Sequence, residues 1–222
     1  MYFAIIGDVI SSRKINDRKQ FQKDLSGILD EINKSYSEDI VSKFVITLGD
    51  EFQGLLKNAD YLLEITDKIK FKLDPIEVRF GIGVGGMDTE IIRERSIGAD
   101  GPAYWCARKA INLINNKNDY NVSKIAIEVE EENNFIDMIN ESLHLCDFIE
   151  KKWQPSQKNL IKISVLHFGH NTKIPQKELA KLLDLSIPTI NVKIQSTGYY
   201  NYLRVKKSIC QSLQRNWGSN QC

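Results

Sequence analysis

Apolar residues recur along this chain with two periods, and the points where one gives way to the other mark its elements. Tyr2-Phe-Ala-Ile-Ile6 is near-continuously apolar and ends at Gly7-Asp8, which predicts a strand. Phe21, Leu25, Ile28, Leu29 and Ile32 return at helical spacing, so an amphipathic helix is expected from Asp17 to Tyr36. Two short strands follow, Phe44 to Leu48 and Phe52 to Leu56, folded back at Gly49-Asp50-Glu51, where glycine before an acidic residue favours a tight reversal. A second helix is predicted from Asn58 to Lys72, then a strand from Glu77 to Gly85. Beyond a polar excursion, Met87 to Ser96, Pro102 fits the first turn of a helix to Asn115, and Ser123 to Val129 completes the sheet. The order β-α-ββ-α-β predicts an α+β domain with helices on one face of a mainly antiparallel sheet. It sets the end of the first strand beside the hairpin tip.

The second part is helical. Phe135, Met138, Ile139, Leu143, Phe148 and Ile149 give a helical pattern from Glu130 to Trp153 that stops before Pro155, and it is expected to be a connecting helix. Another helix is expected from Ser156 to His170. Pro175 to Leu183, a tight turn, and Ile187 to Ser196 then read as a helix-turn-helix, with Ser186 as N-cap, Pro188 in the first turn, and Leu179, Ala180, Leu183, Leu185, Ile190 and Ile194 as a small core. Gly198 to Tyr202 suits either a wing or the start of a final helix, and Ser208 to Cys222 is expected to fray. The predicted domains are residues 1–130, a connector at 131–154, and a small all-α domain at 155–222.

Length and composition narrow the class. With 222 residues, 42% hydrophobic, the chain suits one large or two small domains. No stretch approaches the roughly twenty apolar residues of a membrane span, and the short apolar start lacks a basic leader, so a cytoplasmic protein without a membrane partner is expected. The four cysteines show no C-x-x-C spacing, which argues against zinc, redox and disulfide scaffolds. His167 and His170 are three apart on the expected helix with no carboxylate pattern to make a metal site. Net charge is +1, but residues 1–132 carry −5 and residues 133–222 carry +6, so the second part is suited to face an anion.

Candidate chemistry collects at the strand ends. Asp8, Asp50 and Glu51 are carboxylates held by short rigid elements, and Mg²⁺ needs only one or two of these beside substrate phosphates. Ser11, Ser12, Arg13 and Lys14 follow Asp8 and precede the first helix, where backbone N–H groups and cations suit a polyphosphate. Arg108 and Lys109 lie two turns into the helix that Pro102 opens and are further phosphate candidates. Gly81, Gly83 and Gly86 satisfy G-x-G-x-x-G only formally. They alternate within a strand, where glycine lets a backbone or a flat ligand come close. In the helical part, Thr189, Asn191, Lys193 and Gln195 would face a major groove, while Lys173, Lys177, Lys181, Arg204, Lys206 and Lys207 would meet phosphates.

The segments Ile6-Gly-Asp8-Val-Ile10, Leu48-Gly-Asp50-Glu51-Phe52, Arg79 to Gly85 and Asp100 to Arg108 stand in an order that resembles class III adenylate and guanylate cyclases. Gly-Asp-Glu-Phe is also similar to diguanylate cyclases of the same ferredoxin-like, palm-type fold. As a whole the chain most resembles the SatD family of bacteria, linked by name to an acid-tolerance and secretion operon. The cyclase resemblance implies two Mg²⁺ (or Mn²⁺) held by Asp8, Asp50 and the Val9 carbonyl, a nucleoside triphosphate as ligand or substrate, Arg108 on the reacting phosphate, and a head-to-tail homodimer. Tyr104 stands where the cyclases have asparagine, Leu48 replaces the first glycine of the diguanylate motif, and no lysine–aspartate pair for reading a purine is present. Two functions follow as expectations: a nucleotide-binding regulator of double-stranded DNA, and an active nucleotidyl cyclase.

Overall fold

The computed structural model of the protein describes residues 1–116 and 122–218. Strands β1 (Tyr2–Val9), β2 (Ile40–Leu48), β3 (Glu51–Leu56), β4 (Val78–Gly85) and β5 (Ile125–Val129) form one sheet in the order β2-β3-β1-β4-β5. β1 is antiparallel to β3 and β4, β2 is antiparallel to β3, and β5 is parallel to β4. The helices among the described residues are α1 (Arg18–Ser35), α2 (Leu62–Leu73), α3 (Pro102–Asn116), α4 (Asn134–Lys152), α5 (Pro155–Phe168), α6 (Gln176–Leu183), α7 (Ile187–Thr197) and α8 (Tyr199–Trp217). The fold class is α+β with a mixed sheet, as the element order predicted.

The sheet is covered on both faces, which corrects the expectation of helices on one. Phe3, Ile5 and Val9 of β1 enter a core with Leu25 and Leu29 of α1 and Leu63 and Ile69 of α2. Ala4 and Ile6 turn the other way, onto Ala103 and Ala107 of α3. β4 explains the difference. A Cβ added at Gly81 would stand 2.2 Å from the Ala107 carbonyl oxygen, and one at Gly83 only 2.0 Å from that of Ala103. The backbone of α3 therefore rests directly on the strand, the close approach that the alternating glycines allow.

Two further expectations are overturned. Residues 131–154 do not merely connect, because α4 buries Ile136, Ile139 and Leu143 in the sheet core. Ser208 to Trp217 does not fray either, being part of α8. α8 begins in a helical core with Tyr199, Tyr202 and Leu203, packed with Leu160, Val165, Leu179 and Ile190, and ends in the sheet core with Ile209, Cys210 and Leu213. Cys222 lies outside the described residues.

Where the two cores meet, charge is buried. Asp67 of α2, 1% exposed, is reached by Lys206 Nζ at 2.6 Å, Lys70 Nζ at 2.9 Å, His170 Nε2 at 2.9 Å and the Tyr202 hydroxyl at 3.1 Å. Lys70 also reaches Glu150 of α4 at 2.5 Å. Burial alone would lift the Asp67 carboxyl, but Lys206, Lys70 and His170 hold it well below the ordinary carboxylate range. Lys206, expected at a DNA phosphate, is 1% exposed. It lies on the same stripe of α8 as Tyr202, Ile209 and Leu213, which is the stripe that packs.

Removing Lys206 takes the nearest of three cationic partners from buried Asp67, so Lys206→Ala is expected to cost about 3 kcal/mol in urea unfolding, whereas exposed Lys207→Ala stays within about 0.5 kcal/mol. Burial pushes the Asp147 carboxyl the other way, to about 7, with Lys70 and Lys206 opposing. The folded chain thus keeps that proton from the ordinary 3.8 up to about 7, and its stabilising contribution, complete below 3.8, is lost as pH rises through 7. Asp147→Asn should match the parent in acid and exceed its urea midpoint above pH 7.

Candidate functional site

The sheet register brings the predicted acidic residues to one end. Asp8 stands opposite Glu51 on β3 and opposite Arg79 on β4. The Val9 N–H donates to the Asp50 carbonyl at 3.2 Å, and Gly49, at φ 64°, supplies the left-handed residue that turns the hairpin there. Asp8, Asp50 and Glu51 are therefore neighbours, although 42 residues separate the first two in sequence.

Each carboxylate has a partner. Arg79 Nη2 donates to Asp8 Oδ2 at 2.7 Å. The Ser12 hydroxyl donates to Asp50 Oδ2. Arg108 forks onto Glu51, with Nη2 reaching Oε1 at 2.7 Å and Nη1 reaching Oε2, a bidentate geometry that suits a planar anion. Burial raises the Asp8 carboxyl above its ordinary value; Arg79 opposes this, while nearby Asp50 and Glu51 add to it. The Glu51 hydrogen bond raises the Arg108 guanidinium still further. The result is a cluster of three carboxylates, Asp8 and Glu51 each clasped by a guanidinium and Asp50 held by a hydroxyl.

Arg79 is the residue that the sequence patterns passed over. It shares the face of Gly81 and Gly83, reaches Asn115 of α3 through Nη1, and buries Nε without a partner. That parity along β4 was the available signal, but the register that puts Arg79 opposite Asp8 was not.

Other candidates fall less closely. Ser12 is buried and opens a single 3₁₀ turn, Ser12–Lys14, with Ser11 in the left-handed region at φ 57°. Arg13 and Lys14 are exposed and make no ion pair among the described residues. The helix expected from Asp17 is borne out in α1, which the 3₁₀ turn sets off from Ser11 and Ser12. It starts at Arg18, and its N-terminus is capped by Asp17, which accepts from the Gln20 N–H at 2.9 Å. Lys109 turns away to Glu128 on β5, 2.9 Å distant. Beside Arg108 a cleft of about 480 Å³ opens between Ile6 and Gln53 of the sheet and Tyr104, Trp105 and Asn112 of α3.

In the helical part, α6 and α7 join at Asp184, in the left-handed region at φ 51°, and Ser186 caps α7 as predicted. Asn191 and Gln195 are exposed on α7, as is Val192. Thr189 and Lys193 are half-buried: the Thr189 hydroxyl bonds with Ser186 at 2.8 Å, and Lys193 Nζ donates to the Ser156 hydroxyl at 2.8 Å.

Among the described residues no three His, Cys, Asp or Glu side chains gather to hold a metal, and no helix is long and apolar enough to cross a membrane. The oxygen donors at the strand ends, Asp8 and Asp50, match in number and kind what Mg²⁺ takes from protein when phosphates complete its shell. The fold and site together define an α+β protein whose mixed sheet carries an arginine-clasped acidic end and is fused to a helical module. The model of the SatD family matches residues 2–213, nearly the whole chain, and the protein belongs to the SatD family. No curated protein matches it.

Arg79→Ala removes the group that restrains the Asp8 carboxyl. Carboxyl-detected NMR titration should show Asp8 protonating at a higher pH than in the parent, and urea unfolding at neutral pH should show a loss of about 1–3 kcal/mol.

Proposed function

We propose that this protein is a nucleotide-responsive regulator: the strand-end cluster takes a Mg²⁺–nucleoside triphosphate, and α6 with α7 forms a helix-turn-helix that contacts double-stranded DNA. The nucleotide half is supported by one observation above all, the meeting of Asp8, Asp50 and Glu51 with Arg79 and Arg108 at one end of the sheet. Asp8, Asp50 and the Val9 carbonyl would hold Mg²⁺ or Mn²⁺, which neutralises triphosphate charge when bound. Arg79 and Arg108 then exchange a carboxylate for a phosphate oxygen, since a guanidinium serves both equally well. Binding without cyclisation is favoured because Tyr104 replaces the cyclase asparagine.

The DNA half is supported by unspent positive charge. Residues 155–222 contain ten lysines and arginines against two carboxylates. Ion pairs engage Lys158, Lys162 and Lys206, all with carboxylates of the sheet domain. Lys173, Lys177, Lys181, Lys193, Arg204 and Lys207 make none among the described residues, and Asn191 and Gln195 are exposed on the helix expected to read bases. A homodimer would present two such helices to the two halves of an operator.

Titration calorimetry with ATP and GTP should show Mg²⁺-dependent binding that Asp50→Asn weakens about tenfold or more. Absence of binding by either nucleotide refutes the nucleotide half, and a cyclic product abolished by Arg108→Ala makes the protein a cyclase instead. On a fragment of its own promoter region, affinity should fall steeply with salt, and Lys177→Ala with Lys181→Ala should reduce the slope of log K against log salt by about 2. Binding that ignores salt rules out the DNA half.

A further inference from the structure

Away from the strand-end cluster, a cavity of about 470 Å³ lies between α2, the start of β4, α4 and α5. Both cores contribute to it: Ile76 and Val78 from the sheet core, Phe71 and Trp153 from the helical core, with Pro75 and Lys158 beside them. Asp147 lines it while only 6% exposed. One carboxylate oxygen accepts the Lys124 N–H at 2.7 Å, and the other accepts no hydrogen bond from the described residues.

Asp147 is short of a partner because its neighbours are spent. Lys70 is turned to Asp67 and Glu150, at 2.9 and 2.5 Å, and Lys206 to Asp67 at 2.6 Å. Three carboxylates, Asp67, Glu150 and Asp147, thus share two ammonium groups, with His170 also on Asp67. The one left over faces the cavity. A carboxylate buried without a cation is a costly arrangement that a bound cation would relieve. Lys124, whose own N–H bonds Asp147, also lines the cavity, and among the described residues its ammonium pairs only with Glu77, at 3.5 Å.

The cavity thus offers Asp147 to an ammonium, Lys124 to an anion, and Phe71, Pro75, Ile76, Val78 and Trp153 to an apolar body. We propose that this junction cavity binds a free α-amino acid with an apolar side chain, its ammonium on Asp147 and its carboxylate at Lys124. Because the lining comes from both cores, occupancy strengthens the seat of α5 on α2, already tied by Lys158 and Lys162 to Asp74. The charged groups acting most on Asp147 are Lys70 from α2, Lys206 from α8 and Glu150 from its own helix, and Asp74, Glu77, Lys124, Lys151 and Lys158 line the same cavity. With that carboxyl at about 7, affinity rises as pH passes upward through neutrality and binding releases a proton.

Titration calorimetry on the full chain with leucine, phenylalanine and tryptophan tests this, run in buffers of different ionisation enthalpy to count protons. At least one amino acid should bind with proton release near neutral pH. Its N-acetyl derivative, which lacks the ammonium, should not bind, and Asp147→Asn should lose about tenfold or more in affinity. Asp147→Asn keeps the acceptor for Lys124, so circular dichroism should show it folded. The proposal fails if none of the three binds at millimolar concentration, if the acetylated form binds equally, or if Asp147→Asn binds as the parent does.

Discussion

The four-way clasp on Asp67 is the constraint on which the rest of the architecture depends. Its partners come from α2 itself, from the segment after α5 and from α8, at sequence separations up to 139 residues. A buried ion pair adds little net stability over apolar packing, because stripping water from two charges offsets most of their attraction. What it imposes is a unique register. Sliding α8 by one turn would leave Lys206 unpaired among apolar neighbours and take from Asp67 the nearest of its partners, so only one docking of α8 avoids a stranded charge.

The strand-end cluster obeys a constraint of a different kind. Arg108 is aimed by the seat of α3 on the glycines of β4, a backbone contact in which no side chain intervenes. Asp8 and Glu51 are aimed by sheet register, in which a shift of one residue would turn each to the opposite face. Two rigid, independent placements converge on one bidentate pair. The guanidinium and carboxylate groups therefore meet with little conformational freedom left to lose.

Much of this was legible in the sequence. The strand and helix order, the acidic hairpin tip and the close approach permitted by Gly81 and Gly83 all follow from local pattern. The second covered face was written in β1, whose run Phe3-Ala-Ile-Ile6 is apolar at every position, as strands buried on both sides are. The burial of Lys206 also had a signal, since it falls on the apolar stripe of α8 with Tyr202, Ile209 and Leu213. Charge was allowed to outweigh periodicity there. Neither Arg79 against Asp8 nor Lys206 against Asp67 is a local property, because each pairing depends on tertiary register that no window of sequence carries.

The return of α8 to the sheet has a consequence for biosynthesis. Ile209, Cys210 and Leu213 fill part of the core that Phe3 and Ile5 begin, and the Gln214 side chain accepts the Ala59 N–H at 2.9 Å. β1 and α8, about 200 residues apart, thus belong to one hydrophobic unit. While the ribosome is still translating α8, the sheet waits with an apolar groove open, whatever its own strands have achieved. Nascent-chain quality control therefore meets this fold as an unfinished core until α8 emerges, and a message cut short before α8 yields a product with sticky surface instead of a smaller functional domain.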